Sequence, residues 1–178
     1  MKILVRGLGT IGMSLVSALS RIHEYEIFGA SRNTAAIEFA YKKGFVKNKI
    51  TYKDNCDIEI LCVSKQAILD ILSNDDIIGD VVVDICGTKQ EIVAQVLKHV
   101  THSGYVSVHP MVHIDPQGYQ FYKENAFVGA TIFMINDIVA EAQIVKKVTD
   151  IFKNIGANNI ITCSALEHDT VLKYSFKN

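Results

Sequence analysis

The first fourteen residues, Met1 to Ser14, read MKILVRGLGTIGMS, and the fold follows from them. Lys2 to Arg6 is a short run rich in Ile, Leu and Val, as a buried strand requires. Gly7, Gly9 and Gly12 follow in G-x-G-x-x-G spacing, and Ile11, Leu15, Val16 and Leu19 then recur at helical intervals. Strand, glycine turn and helix in that order make a dinucleotide-binding βαβ unit. Gly7 allows the tight turn, Gly9 lets the backbone approach a pyrophosphate, and Gly12 lets the helix pack against the strand. The helix N-terminus turns its free N–H groups and positive dipole end toward the phosphates. The cofactor loop expected here is therefore Gly7, Leu8, Gly9, Thr10, Ile11 and Gly12.

Beyond this unit the pattern keeps alternating. Strands are predicted at Tyr25–Ala30, Ile58–Val63, Asp80–Ile85 and Tyr105–Val108, and helices at Thr34–Lys43, Lys65–Leu72 and Lys89–His99. Gly44 is a suitable terminator for the second helix. Val81, Val82 and Val83 form the β-branched run of a strand buried on both faces. Thr88 and Glu91 read as a T-x-x-E capping box for the helix that follows. Alternation then breaks at a loop from His109 to Gly118, which holds both prolines, Pro110 and Pro116. A strand over Phe127–Ile135, a long helix over Asp137–Ile155 ended by Gly156, and a strand over Asn159–Thr162 complete the body. A last helix starts at Ser164, with Glu167 as its capping partner. The expected fold is α/β, a doubly wound Rossmann-type, mostly parallel sheet with helices on both faces and its ligand at the carboxyl ends of the strands. Residues 1–163 form the NAD(P)-binding domain, and 164–178 begin a C-terminal helix.

Composition agrees with one domain. The chain has 178 residues, long enough for one sizeable core and short for two. Hydrophobic residues make up 49%, which suits a buried sheet and opposes disorder. A net charge of −1 offers no field for nucleic acid and no basic membrane patch. No apolar run is long enough to span a bilayer, and because the N-terminus enters its strand at once no secretory leader is expected. The four cysteines, Cys56, Cys62, Cys86 and Cys163, are widely spaced and are expected to be reduced. A cytoplasmic location follows as an expectation.

The cofactor can be narrowed further. NAD-selective sites carry a carboxylate at the end of the second strand, ~20 residues past the glycines. Here that stretch reads Gly29-Ala30-Ser31-Arg32-Asn33. The Ser31 hydroxyl and Arg32 guanidinium suit a 2′-phosphate, so NADP is favoured over NAD; the alternative is that Arg32 is a solvated turn residue. Val63 and Ser64, at the end of the third strand, are expected to border the same cofactor.

Among candidate bases, His109 follows the fifth strand and precedes Pro110, which stiffens it at the carboxyl edge. Its imidazole is a natural acceptor for an alcohol proton during hydride abstraction. His113 and Asp115 lie nearby, but the two prolines oppose the helix that an H-x-x-x-H metal site needs, and no metal is expected. His168 and Asp169 are adjacent on the last helix, where neighbouring side chains are not expected to face each other.

Several separate stretches now resemble one family, the prephenate and arogenate dehydrogenases of tyrosine biosynthesis. They are GLGTIGMSL (7–15), VVVDICGTK (81–89), HPMVHIDPQG (109–118), AFVGA (126–130) and EHD (167–169). The resemblance covers nearly the whole chain. It implies NAD(P)-dependent oxidative decarboxylation of prephenate or arogenate to the 4-hydroxyphenyl product. His109 matches the family histidine that hydrogen-bonds the ring hydroxyl and takes its proton, and loss of carbon dioxide restores aromaticity. Thr88 stands where the family has a serine, keeping a hydroxyl that can orient the histidine and the nicotinamide.

The departures are His113 in place of a family glycine, Asp115 in place of a glutamate, and the stretch after Asp169. In relatives an all-helical domain follows there, makes the dimer, and supplies histidine and arginine contacts to substrate carboxylates. That domain is expected to be absent here, leaving Arg6 and Lys65 as the nearest cations at strand ends. The last helix would then meet a second copy or a partner chain. Two other readings fit the same residues. One is a catalytically weak stand-alone NADP-binding module; the other is a different small Rossmann reductase, similar to the β-hydroxyacid dehydrogenases.

Overall fold

The computed structural model describes residues 1–99 and 104–175. Seven strands form one sheet in the order β2-β1-β3-β4-β5-β6-β7. The strands are β1 (Lys2–Arg6), β2 (Glu26–Ala30), β3 (Cys56–Leu61), β4 (Gly79–Asp84), β5 (Tyr105–Pro110), β6 (Thr131–Ile135) and β7 (Asn159–Cys163). All neighbouring pairs are parallel except β5 with β6. The strand order reverses at β1, which creates a crevice at the carboxyl ends of β1 and β3.

Side chains alternate across this sheet because successive residues of a strand point to opposite faces. Ile3, Val5, Ile58, Ile60, Val81, Val83, Val106 and Val108 share one core cluster. That cluster is covered by α1 (Thr10–Leu19), α2 (Thr34–Lys42) and α5 (Ala142–Asn154). Leu61, Val82 and Tyr105 point the other way, toward α3 (Lys65–Ser73), α4 (Gln90–His99) and α6 (Ala165–Ser175). Three helices therefore cover each face, as expected of a doubly wound fold.

Several boundaries differ from the sequence reading: the third strand runs two residues earlier than expected, Cys56–Leu61 in place of Ile58–Val63, and three other differences have a visible cause. Residues 127–130 are turns rather than strand: Gly129 adopts φ +77° and Ala130 N–H donates to Phe127 O, while Phe127 is buried against Phe152. The helix expected from Asp137 begins only at Ala142. Asp137 is used elsewhere, its carboxylate accepting Ala165 N–H at 2.5 Å to cap α6. His109 belongs to strand β5, which runs on to Pro110 by pairing His109 with Phe133 of β6.

Candidate active site

The glycine loop is built as its spacing demands. Gly7 sits at φ +98°, where a Cβ would lie 2.4 Å from Cys62 O, and a Cβ on Gly12 would lie 1.9 Å from Gly7 O. Only glycine allows this approach of helix to strand. A Cβ on Gly9 would meet nothing within 4 Å. Gly9 is also the N-cap of α1 and gives no side-chain cap, so the first-turn N–H groups are left without one. The space left at Gly9 and the uncapped donors beside it fit a pyrophosphate.

The crevice is a cleft of about 1310 Å³. Of the expected cofactor residues, Gly7, Leu8, Gly9, Ser31, Arg32, Val63 and Ser64 line it. Thr10, Ile11 and Gly12 do not. The Thr10 hydroxyl is buried and committed to the 117–118 loop, accepting Gly118 N–H at 2.6 Å and standing 3.1 Å from Gly118 O. Ile11 packs on the core, and Gly12 serves the helix–strand contact.

A strap that the sequence reading did not single out borders the cleft at the end of β2. Asn48 grips both backbone groups of Gly29, accepting its N–H at 3.1 Å and donating to its carbonyl at 2.9 Å. Lys47 N–H and Tyr52 N–H donate to Ile27 O and Gly29 O, and the Thr51 hydroxyl donates to Ser31 O. The exposed edge of β2 is thus covered, and Thr51 and Lys53 join Arg32 along the cleft.

The second half of the site lies at the ends of β4 and β5. Tyr105, Ser107 and His109 share one parity of β5, so the strand itself aims His109 at α6. His109 Nδ1 lies 2.9 Å from His168 Nε2, and His168 Nδ1 lies 2.8 Å from Asp169 Oδ1. The expectation that His168 and Asp169 would not face each other is therefore overturned. Asp169 lies at the start of a chain of contacts: it also accepts Lys89 N–H at 2.9 Å and Gln90 N–H at 3.0 Å, capping α4. The capping box expected from Thr88 and Glu91 is not formed, because Glu91 pairs instead with Lys65 at 2.7 Å. Thr88 is exposed, with its hydroxyl 3.8 Å from Cys86 Sγ. The box at Ser164 is present: Glu167 Oε2 accepts from Ser164 N–H and Oγ–H at 2.8 Å each.

Beneath His109 lies a buried ion pair. Lys89 Nζ reaches Asp84 Oδ1 at 2.6 Å and Val108 O at 2.5 Å, with both charged side chains fully buried. The Tyr105 hydroxyl donates to Asp84 Oδ2 at 3.1 Å. Burial is the largest influence on His109, followed by the neighbouring His168 and the Lys89 charge, and together they lower its pKa from 6.5 to about 4. His109 is therefore neutral near pH 7. Its other nitrogen, Nε2, faces Gly87, where a Cβ would stand 3.5 Å away.

Neither expected substrate cation is free. Arg6 lines the cleft but pairs with Glu59 at 2.6 Å and Asp76 at 2.8 Å, and Lys65 is held by Glu91. His113 and Asp115 are exposed on their loop, and among the described residues no three His, Cys, Asp or Glu side chains gather to hold a metal ion. All four cysteines are free thiols. No described helix is long and apolar enough to cross a membrane.

The family model for the nucleotide-binding domain of prephenate dehydrogenase matches residues 16–161. The chain belongs to this family. A prephenate dehydrogenase of Lactococcus lactis is 29% identical over 180 residues, covering 96% of this chain and 48% of that protein. Two solved structures share the fold. One is Aquifex aeolicus prephenate dehydrogenase in complex with hydroxyphenyl propionate and NAD+, with TM-score 0.84, 20% identity, and 97% of this chain covered against 63% of that one. The other is Synechocystis arogenate dehydrogenase, with TM-score 0.84, 23% identity, and coverages of 99% and 64%. The chain thus spans about half the length of its Lactococcus relative and less than two thirds of either solved chain. Membership makes this a nucleotide-binding domain, and the glycine loop and His109 lie on the same carboxyl edge of its sheet.

Proposed function

We propose that this domain serves a dehydrogenase that oxidatively decarboxylates prephenate or arogenate, with NADP preferred over NAD and His109 accepting the substrate hydroxyl proton. The observation that carries the reading is His109 itself: neutral, aimed from β5, and on the same carboxyl edge as the empty space at Gly9. Three strand spacings separate β1 from β5, roughly 14 Å, a span suited to an extended dinucleotide. In this reading the Gly7–Gly12 loop holds the pyrophosphate, Ser31 and Arg32 hold the ribose 2′-phosphate, and Val63 and Ser64 flank the chain between them.

The nicotinamide, when bound, supplies the hydride acceptor. The protein's own residues do the rest. His109 Nε2 receives the hydroxyl proton as the carbonyl forms, and the exposed Thr88 hydroxyl, one residue beyond the Gly87 that Nε2 faces, helps orient the reacting groups. Carbon dioxide leaves, the electrons of its C–C bond make the ring aromatic with a phenolate oxygen, and that oxygen takes the proton back from His109. The substrate's two negative charges require cations, and with Arg6 and Lys65 already paired these come from groups packed against α6. Leu166 and Tyr174 are 62% and 67% exposed on that helix, which suits contact with a helical region or a second copy. Four free thiols suit a reducing compartment, and we assign the protein to the cytoplasm.

The test is NADPH formation with prephenate and with arogenate, alongside melting curves with NADP and NAD at equal concentration. NADP should raise the melting temperature more than NAD. His109→Asn should remove most turnover and keep the cofactor-induced shift. Greater stabilisation by NAD would refute the role given to Ser31 and Arg32, and turnover retained in His109→Asn would refute the base.

A further inference from the structure

The geometry points to His168 and Asp169 as positioning residues that decide which nitrogen of His109 carries the proton. The inference rests on His109 being the proton acceptor proposed above, and its readout does not depend on turnover.

The fixed end of the chain is Asp169. Burial works against its charged form, but hydrogen bonds from Gln90 N–H, His168 and Lys89 N–H outweigh it and hold the carboxyl below its usual range. An ionised carboxylate only accepts hydrogen bonds. His168 Nδ1, 2.8 Å away, must therefore carry its hydrogen. A neutral imidazole protonated at Nδ1 has its lone pair at Nε2. His168 Nε2 is 2.9 Å from His109 Nδ1, so His109 Nδ1 is the donor and holds the hydrogen of that ring. The lone pair of His109 is left at Nε2, the atom facing Gly87.

The reverse arrangement would place hydrogens on both nitrogens of His168, a second buried cation close to Lys89. His168 is only 1% exposed, and its ring is held edge-on against Phe133 at 5.3 Å and His109 at 5.1 Å. It cannot rotate away without losing both contacts. The charged groups around His109 come from every neighbouring element: Asp84 from β4, Lys89 from the start of α4, and His168 with Asp169 from α6. Lys89 and His168 favour the neutral ring, whereas Asp84 and Asp169 favour the charged one. When the substrate proton arrives at Nε2, no proton needs to move along the chain. The Nδ1–H bond to His168 strengthens, and Asp169 faces the new positive charge through one ring. The chain thus supplies an acceptor that is neutral before the reaction and supported after it.

The experiment is a long-range proton–nitrogen NMR correlation on the 15N-histidine-labelled chain near pH 7. Wild type should show His109 protonated at Nδ1 and bare at Nε2. His168→Leu removes the acceptor and should shift the hydrogen toward Nε2. His168→Gln keeps an acceptor oxygen and should hold the wild-type pattern; it also serves should the leucine variant fail to fold. A wild-type hydrogen on Nε2, or an unchanged pattern in a folded His168→Leu protein, overturns the inference. In turnover assays His168→Leu should lower kcat by about 10- to 100-fold with KM little changed, part of the ~10²–10⁴-fold that a positioned base contributes. His168→Gln should restore part of that loss, and full kcat in His168→Leu overturns the positioning role. Full turnover in His109→Asn would instead refute the proposed base and leave the measured tautomer standing.

Discussion

Two glycines of one loop, Gly9 and Gly12, should separate stability from binding. Gly12→Ala sets a Cβ 1.9 Å from Gly7 O, and the gap must open by about 1.1 Å to reach the 3.0 Å that real contacts respect. The Gly7 carbonyl is backbone and a Cβ has no torsion by which to turn away, so α1 itself must move, and nine of its ten residues are buried. Overpacking of this kind costs ~1–3 kcal/mol, and the upper end applies where no side chain can yield. Alanine's better helix propensity returns ~1 kcal/mol, leaving a net loss of about 2 kcal/mol. For a domain of this size that is a fall of roughly 4–8 °C in melting temperature. Gly9→Ala differs, because its φ of −78° and ψ of −159° are open to alanine and its Cβ meets nothing. Its cost in stability should stay within ~1 kcal/mol, the worth of a glycine N-cap. The new methyl group points into the space suited to the pyrophosphate, however, and a tenfold loss of NADP affinity is ~1.4 kcal/mol. At a concentration 100 times the wild-type Kd, stabilisation by NADP of ~2.7 kcal/mol would fall by about half. Melting curves with and without NADP measure both effects. A Gly9→Ala protein with the wild-type NADP shift, or a Gly12→Ala protein melting within about a degree of wild type, would refute this account of the loop.

Two further outcomes are expected. Lys89→Met leaves Asp84 buried with only Tyr105 O–H and Cys86 N–H as partners, and should cost ~3 kcal/mol in urea unfolding; Lys89→Met with Asp84→Asn should recover part of it, and a single-variant loss under ~1 kcal/mol would argue against the pair. His109 has a folded pKa of about 4 against an ordinary 6.5, so the unfolded chain takes up the proton first as pH falls. Its contribution to stability is complete above pH 6.5 and is lost between 6.5 and about 4. Allowing for screening of a partly exposed ring, that is ~1–2 kcal/mol, and His109→Asn should flatten this part of the stability curve, an effect absent if the ring titrates normally.

What consecutive residues could reveal, the sequence revealed. Short apolar runs point to β1 to β5 and the 3.6-residue period to α1 to α4, because both are properties of the local chain. The glycine spacing at 7, 9 and 12 identifies the cradle, since freedom of φ and lack of a Cβ belong to the residue alone. His109 was visible as a histidine at a strand end, and the Ser164–Glu167 box as a four-residue pattern. Errors arose where a residue with a good local use had a better distant one. Asp137 caps α6 instead of opening α5, and Glu91 leaves its own helix start for Lys65. Helix α4 takes its cap from Asp169, 80 residues further along the chain. The pairing of His109 with His168 spans 59 residues, and the grip of Asn48 on Gly29 spans 19. No pattern in the sequence links these residues, because only the closing of the sheet and the docking of α6 bring them within hydrogen-bonding distance. The sequence by itself determined the strand, glycine turn and helix, and placed a histidine on the same edge of the sheet. The tertiary structure alone decided which way that histidine points, what holds it neutral, and that Arg6 and Lys65 are already paired.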